Sequence, residues 1–128
     1  MYSNTHIASA TFEVMMPNRF EIAANGNTSP YQTVEEATSI PLSIQGNAHT
    51  GASVPINSIN SNNMTFIWKI REYSGSPNVQ IGNTEILTGY SHTLETSNAG
   101  NRHHIQLETE DPETGNTTIL NTMILYVD

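Results

Sequence analysis

The sequence predicts an all-β domain, an antiparallel β-sandwich of about seven to nine strands with an extended N-terminal segment. Three observations predict it. Apolar residues recur with period two, the spacing of half-buried strands, and no stretch of any length keeps the spacing of a helix. Turn-forming clusters punctuate the apolar segments: Asn25-Gly26, Gly46-Asn47, Ser74-Gly75-Ser76-Pro77, Gly82-Asn83, Ala99-Gly100-Asn101 and residues 111–116. The chain has 128 residues, which gives room for one core and little beyond it.

From the amino end, residues 7–14 and 20–24 form short strand segments. Residues 39–45 alternate with Ile40, Leu42 and Ile44 on one side, and Pro41 predicts an edge or a bulge because it has no amide to donate. The clearest strand is 64–72, where Met64, Phe66, Trp68 and Ile70 share one face while Thr65, Lys69 and Arg71 take the other; Ile67 breaks the pattern. Short segments follow at 79–81, 85–87 and 91–96. Residues 102–110 place Ile105 and Leu107 inward and Gln106, Glu108 and Glu110 outward. The expected core is therefore built on Phe66, Trp68, Ile70, Ile105 and Leu107. The last strand, 117–127, is apolar on both faces, with Ile119, Met123, Leu125 and Val127 on one and Leu120, Ile124 and Tyr126 on the other. Such a strand is covered twice or offers one face to a partner. Residues 26–32 and 46–63 are polar, lack alternation and read as surface loops.

Composition narrows the partners. Asparagine, threonine and serine contribute 43 residues, about a third of the chain, against 4 Lys plus Arg and 12 Asp plus Glu, for a net charge of -8. Four scattered cations cannot neutralise a phosphate backbone, so no nucleic-acid or anionic-membrane partner is expected. No apolar run reaches the 18 or so residues of a membrane span, and residues 1–10 lack the pattern of an export signal. With no cysteine there is no disulfide, thiolate or cysteine-ligated zinc.

Catalytic and metal-binding constellations are thin. Of the histidines His6, His49, His92, His103 and His104, the adjacent pair points to opposite faces of a strand and cannot chelate one ion without a bulge. One is expected to pack and the other to face solvent. Glu110, Asp111 and Glu113 bunch three carboxylates around Pro112, either a solvated turn or a calcium-binding loop, without the spacing of an EF-hand. No serine sits in a nucleophile elbow, and no base, orienting group and oxyanion site come together, so the chain is read as non-enzymatic, with no cofactor and no metal.

Two stretches carry a resemblance. One is Phe66-Ile67-Trp68-Lys69-Ile70, with the single tryptophan on a mid-chain strand; the other runs from His104 through the acidic turn and Gly115-Asn116 into residues 117–127. Over about 35–128 the chain resembles an immunoglobulin-like sandwich, of the kind found in PKD and related bacterial or phage modules, which places a core Trp on strand C and closes with strands F and G. It departs from that pattern after Trp68, where Lys69-Ile70-Arg71-Glu72 replaces an acidic, glycine-rich motif, and in having no inter-sheet disulfide, which leaves Trp68 to pack on aliphatic side chains. The resemblance implies that 1–34 are N-terminal strands or a docking arm and 35–128 the sandwich. If strands C and F pair, Lys69 and Arg71 can face Glu108 and Glu110, in ion pairs worth about 0–1 kcal/mol each.

The function expected from these features is that of a virion structural protein, a phage capsid decoration protein on the outer surface of the major capsid protein, with a homo-oligomer also possible. The start at Met1 without an export signal, the two-faced last strand and the absence of recognisable chemistry motivate it. Its expected interface comprises Leu120, Ile124 and Tyr126 together with Ile7 and Phe12 in the N-terminal segment. The alternative is a secreted or cell-surface adhesion module that binds a glycan or a protein through the loops at 26–32 and 46–63, or through exposed tyrosines such as Tyr31, Tyr73 and Tyr90.

Overall fold

The structure is a computed structural model of the chain, and it describes residues 19–47, 53–56, 64–75 and 78–128. Nine strands run through them: β1 (Arg19–Ala24), β2 (Tyr31–Val34), β3 (Ser39–Asn47), β4 (Ser53–Pro55), β5 (Thr65–Tyr73), β6 (Gln80–Thr88), β7 (Ser91–Glu95), β8 (Arg102–Glu110) and β9 (Thr117–Val127). They form two sheets. In the first, β3 is central, paired with β1 along one edge and with β7 and then β4 along the other; the second has the order β2-β9-β8-β5-β6. All pairings are antiparallel except β2 with β9.

The two sheets close on a single core. Ile22, Ile40, Leu42, Ile44 and Leu94 of the first sheet meet Phe66, Trp68, Ile70, Ile105, Leu107, Met123, Leu125 and Val127 of the second in one buried cluster. Phe20 and Phe66 meet edge to face across it at 5.5 Å. All five core residues expected from periodicity are buried, Trp68 and Leu107 completely. Trp68 does not rest on aliphatics alone: the edge of His92 meets its ring at 5.5 Å and its Nε1 donates to the Gly89 carbonyl at 2.9 Å. That bond satisfies the one polar atom the indole takes into the core.

Several local features depart from simple alternation. Asn25 and Gly26 both have positive φ, 52° and 77°, and Ala24 and Asn27 exchange two backbone hydrogen bonds across them at 3.0 Å. This is the tight turn that an Asn-Gly pair favours. It ends β1 and releases the chain into β2 on the opposite sheet, so 26–32 is not wholly loop. Tyr31–Val34 becomes a strand because β9 offers it an open edge, with Ile124 N–H donating to the Pro30 carbonyl and Asp128 N–H to the Val34 carbonyl, each at 2.8 Å. Ser53–Pro55 likewise pairs with β3 inside the predicted loop 46–63. Since β1 and β2 contribute one strand to each sheet, the sandwich includes residues from Arg19 onward.

Pro41 lies in the central strand, yet at a local edge. Its carbonyl accepts from Asn25 N–H at 3.0 Å, just past the last β1 pair, Ala24 with Leu42. A strand residue's amide and carbonyl point the same way, so the missing N–H faces the position where β1 has already turned off. The segments 79–81 and 85–87 are one strand. Gly82-Asn83 makes a bulge in it: Ile70 pairs with Glu85 and Glu72 with Ile81, leaving three β6 residues opposite Arg71, and Gly82 takes a φ of 71°.

A second bulge re-aims the last strand. Leu107 pairs with Asn121 and Glu108 with Ile119, so Leu120 is an extra residue without a cross-strand partner. The alternation reverses there. Leu120, expected outward, packs against the core, while Ile119, expected inward, is 59% exposed.

Candidate functional site

The side chains that point away from the core give the two sheets unlike surfaces. On the first sheet they are mostly small, polar or acidic, Glu21, Ser39, Pro41, Ser43, Gln45, Thr93 and Glu95, with Arg19 the one cation. The outer face of the second sheet carries large apolar, aromatic and cationic groups. Four of the six exposed large hydrophobic side chains among the described residues lie there, Tyr31, Ile86, Ile119 and Tyr126. So do three of the four cations of the chain, Lys69, Arg71 and Arg102. Register builds the face row by row, because residues paired across strands project to the same side.

At one end, Tyr126, Arg102 and Tyr73 form a row, and Ile124, His104 and Arg71 the next. The Arg102 guanidinium sits 5.4 Å over the Tyr73 ring, the His104 ring lies 4.5 Å from the same ring, and Arg102 Nε donates to His104 Nε2 at 3.0 Å. Arg102 also donates to Asn78 Oδ1. Burial together with the positive charges of Arg102 and Arg71 lowers the His104 pKa, so the ring stays neutral and accepts from the guanidinium. A shallow depression of about 210 Å³ opens here, lined by Arg71, Tyr73, His104, Gln106, Thr122 and Ile124. Tyr31 and Thr33 extend the end laterally beside Ile124 and Tyr126.

The middle row holds Thr122, Gln106, Lys69 and Ile86. Beyond it lies Glu108, which is only 2% exposed although it is on the outer side. Burial raises its pKa, but hydrogen bonds from Gln106, Lys69 and Thr117 and the Lys69 charge outweigh that and hold the carboxyl below its ordinary value. Of the two ion pairs the sequence suggested, Lys69 with Glu108 forms at 3.1 Å. Arg71 instead stands opposite His104, and Glu110 opposite Thr65.

The remaining sequence candidates separate. Ile124 and Tyr126 share this outer face with Ile119 rather than with Leu120; Ile7 and Phe12, like His6 and His49, lie outside the described residues. His103 is buried while its neighbour His104 faces out, as strand alternation requires. His103 Nε2 accepts from Ser97 N–H at 3.3 Å, and burial, opposed by the charge of Glu72, lowers its pKa. In the turn after β8, Asp111 Oδ1 accepts from Glu113 N–H at 2.8 Å and Asp111 N–H donates to the Asn116 carbonyl at 2.8 Å, so the Asp111 carboxylate closes the turn. Among the described residues no group of three or more His, Asp or Glu is placed to hold a metal ion. Tyr90 packs on the core beside Phe66, whereas Tyr31 is 64% exposed.

The Arg102–Tyr73–His104 cluster and the exposed Ile86 were not picked out by sequence reasoning, since their juxtaposition depends on the register of β5 with β8 and on the bulged register of β5 with β6. The alternation of β5 and β8 did place Lys69, Arg71 and Gln106 on the outer side. Compared with protein-family models, with curated proteins and with solved structures, the chain matches none.

Proposed function

We propose that the chain is a non-enzymatic immunoglobulin-like module that works by docking onto other protein subunits, and that its setting is a virion, as a decoration protein on a phage capsid. The observation that carries the docking role is the outer face of β2-β9-β8-β5-β6. Tyrosine, isoleucine and arginine concentrate there in a chain otherwise dominated by small polar residues and acids. Aromatic residues and arginine are the types enriched where proteins bind proteins, the aromatics burying large area with few rotatable bonds and arginine combining a planar apolar face with several hydrogen-bond donors.

Strand order supports the immunoglobulin-like part of the reading. β1 and β2 divide between the sheets, β2 runs parallel to the last strand, β3 joins β7 in one sheet, and β5, β8 and β9 are neighbours in the other. In that frame β5 takes the place of strand C and Trp68 that of its core tryptophan. Capsid decoration fits a module whose most distinctive surface is the outer face of a five-stranded sheet.

Co-sedimentation with undecorated phage capsids tests the reading. The full chain should pellet with the shells, and Ile124→Asp, on the outer face, should stay in the supernatant with an unchanged circular dichroism spectrum. A chain that binds no shell sinks the virion setting. Tyr31 and Tyr126, exposed on adjacent strands, favour a second reading, an adhesion module that stacks sugars, and a glycan array addresses it directly.

A further inference from the structure

The outer face of the five-stranded sheet is charged in a directional way. Arg102 and Glu110 are the two ends of β8, separated by about 26 Å of strand. Around Arg102 lie Arg71, Tyr73 and Tyr126; around Glu110 lie Thr65 and Thr117, and beyond it come the exposed Asp111 and Glu113. Midway, Lys69 neutralises Glu108. Among the described residues neither Arg71 nor Arg102 has a carboxylate partner, in a chain with three times as many acids as Lys and Arg. The face is thus positive at one end, neutral in the middle and negative at the other, with exposed isoleucines and tyrosines between and beside the charges.

Such a face is complementary to itself. A twofold axis lying in the interface plane, parallel to the sheet and perpendicular to β8 near Gln106, exchanges the ends of β8, setting the positive end of each copy over the negative end of the other. Contacts of this isologous kind close on themselves, as stable homodimers require. The area is adequate. Four long strands and the short β2, about 4.8 Å apart and averaging roughly 25 Å in length, cover on the order of 600 Å² per copy, or about 1,200 Å² in total, at the lower end of the range of specific interfaces.

We propose that a second copy of this chain docks on the outer face of β2-β9-β8-β5-β6, about a twofold axis near Gln106, with the Arg71–Arg102 end of each copy over the Glu110 and Glu113 end of the other. This deepens the docking role proposed above by naming the occupant of that face, and rests on it. The pair packs sheet on sheet, covering Ile119, Ile124 and the neutralised Lys69–Glu108 pair, with Ile86 at one edge and the uncompensated charges at the two ends.

Sedimentation velocity of the full-length chain over a concentration series, at low and at high salt, tests this. A dimer that loosens with salt is expected, because rim charges are screened. Arg71→Glu alone and Glu110→Arg alone should each weaken self-association on the order of tenfold or more. An equimolar mixture of the two should recover it, because every end then again meets its opposite. Circular dichroism of each variant establishes that it is folded. A full-length chain that remains monomeric throughout the series, or a dimer indifferent to both substitutions, overturns the proposal. Capsid co-sedimentation of the same preparations is read separately: a monomer that pellets with shells defeats the twofold pairing alone, and a dimer that ignores shells defeats the virion setting alone.

Discussion

Lys69 Nζ lies 3.1 Å from Oε2 of Glu108, a carboxylate on the outer side of β8 that is nevertheless only 2% exposed. The long side chains of the face cover it, and Gln106 and Thr117 complete its hydrogen bonding. Removing the lysine would leave a covered carboxylate with neutral donors alone. Lys69→Met should therefore destabilise the domain by about 1–3 kcal/mol, moderated because the Lys69 head group is partly exposed and water can take its place. Urea denaturation measures it, and a variant as stable as the parent would make the pair an ordinary surface contact.

Trp68 is fully buried and bonded to the Gly89 carbonyl. Trp68→Ala should cost about 3–5 kcal/mol as a large-to-small core change. Trp68→Phe retains an aromatic ring but leaves that carbonyl without the indole N–H, and should cost less than the alanine variant. Equal losses in the two denaturation curves would assign the whole effect to the hydrogen bond.

The bulge in β9 predicts opposite consequences for adjacent residues. Leu120→Ala removes a half-buried side chain that packs on the core and should cost about 1–2 kcal/mol. Ile119→Ala, on the outer face, should change the stability of the monomer by no more than about 0.5 kcal/mol. If the larger loss fell on Ile119, the register of β8 with β9 would have to be redrawn without the bulge.

Acid should weaken the domain in two stages. His92, His103 and His104 have pKa values below the ordinary 6.5, with burial the leading cause for each. Between 6.5 and the lower folded values the unfolded chain binds more protons, so stability declines as pH falls below 6.5. Glu108 acts lower: its contribution is complete above the ordinary carboxyl value of 4.5 and is lost as pH falls through the depressed folded value. Urea midpoints at a series of pH values should be flat from pH 8 to 7 and then fall. His103→Gln should reduce the first decline; a profile level down to pH 5 would contradict the histidine stage, and no further loss below pH 4.5 would contradict the Glu108 stage.

Gly75 packs against backbone. A Cβ placed on it would come within 2.1 Å of the Gly100 carbonyl oxygen, an atom that cannot swing aside as a side chain would. Gly75→Ala should cost about 1–3 kcal/mol, read from the denaturation midpoint. An unperturbed midpoint would mean that the loops holding Gly75 and Gly100 yield together.

The alternation of Phe66, Trp68, Ile70, Ile105 and Leu107, and of Lys69, Arg71, Gln106 and Glu108 opposite them, was legible in the sequence because the direction of a strand side chain follows from parity alone. Parity also separated His103 from His104. It failed where one residue was inserted into a ladder. Nothing local in Ile119-Leu120-Asn121 announces a bulge, and the bulge exists because β8 pairs with β9 in two registers at once, while the Asn121 side chain reaches across the core to the Phe20 carbonyl at 3.1 Å. Tyr31–Val34 and Ser53–Pro55 were equally hidden, since strands of four and three residues have too little period to read and form where a neighbouring strand leaves an edge unfilled.

The sequence by itself thus determined the all-β class, the turns at Asn25-Gly26 and at 111–116, and which residues of each long strand face inward, for these depend on backbone geometry and on the period of apolar side chains. Tertiary structure alone decided that β2 crosses to join β9, that Leu120 turns in and Ile119 out, and that Arg71, Tyr73, Arg102, His104 and Tyr126 gather at one end of one face. Those residues come from β5 and from the β8–β9 hairpin, which lie far apart in the chain, and only the hydrogen-bond register of β5 with β8, a long-range relation, brings them side by side.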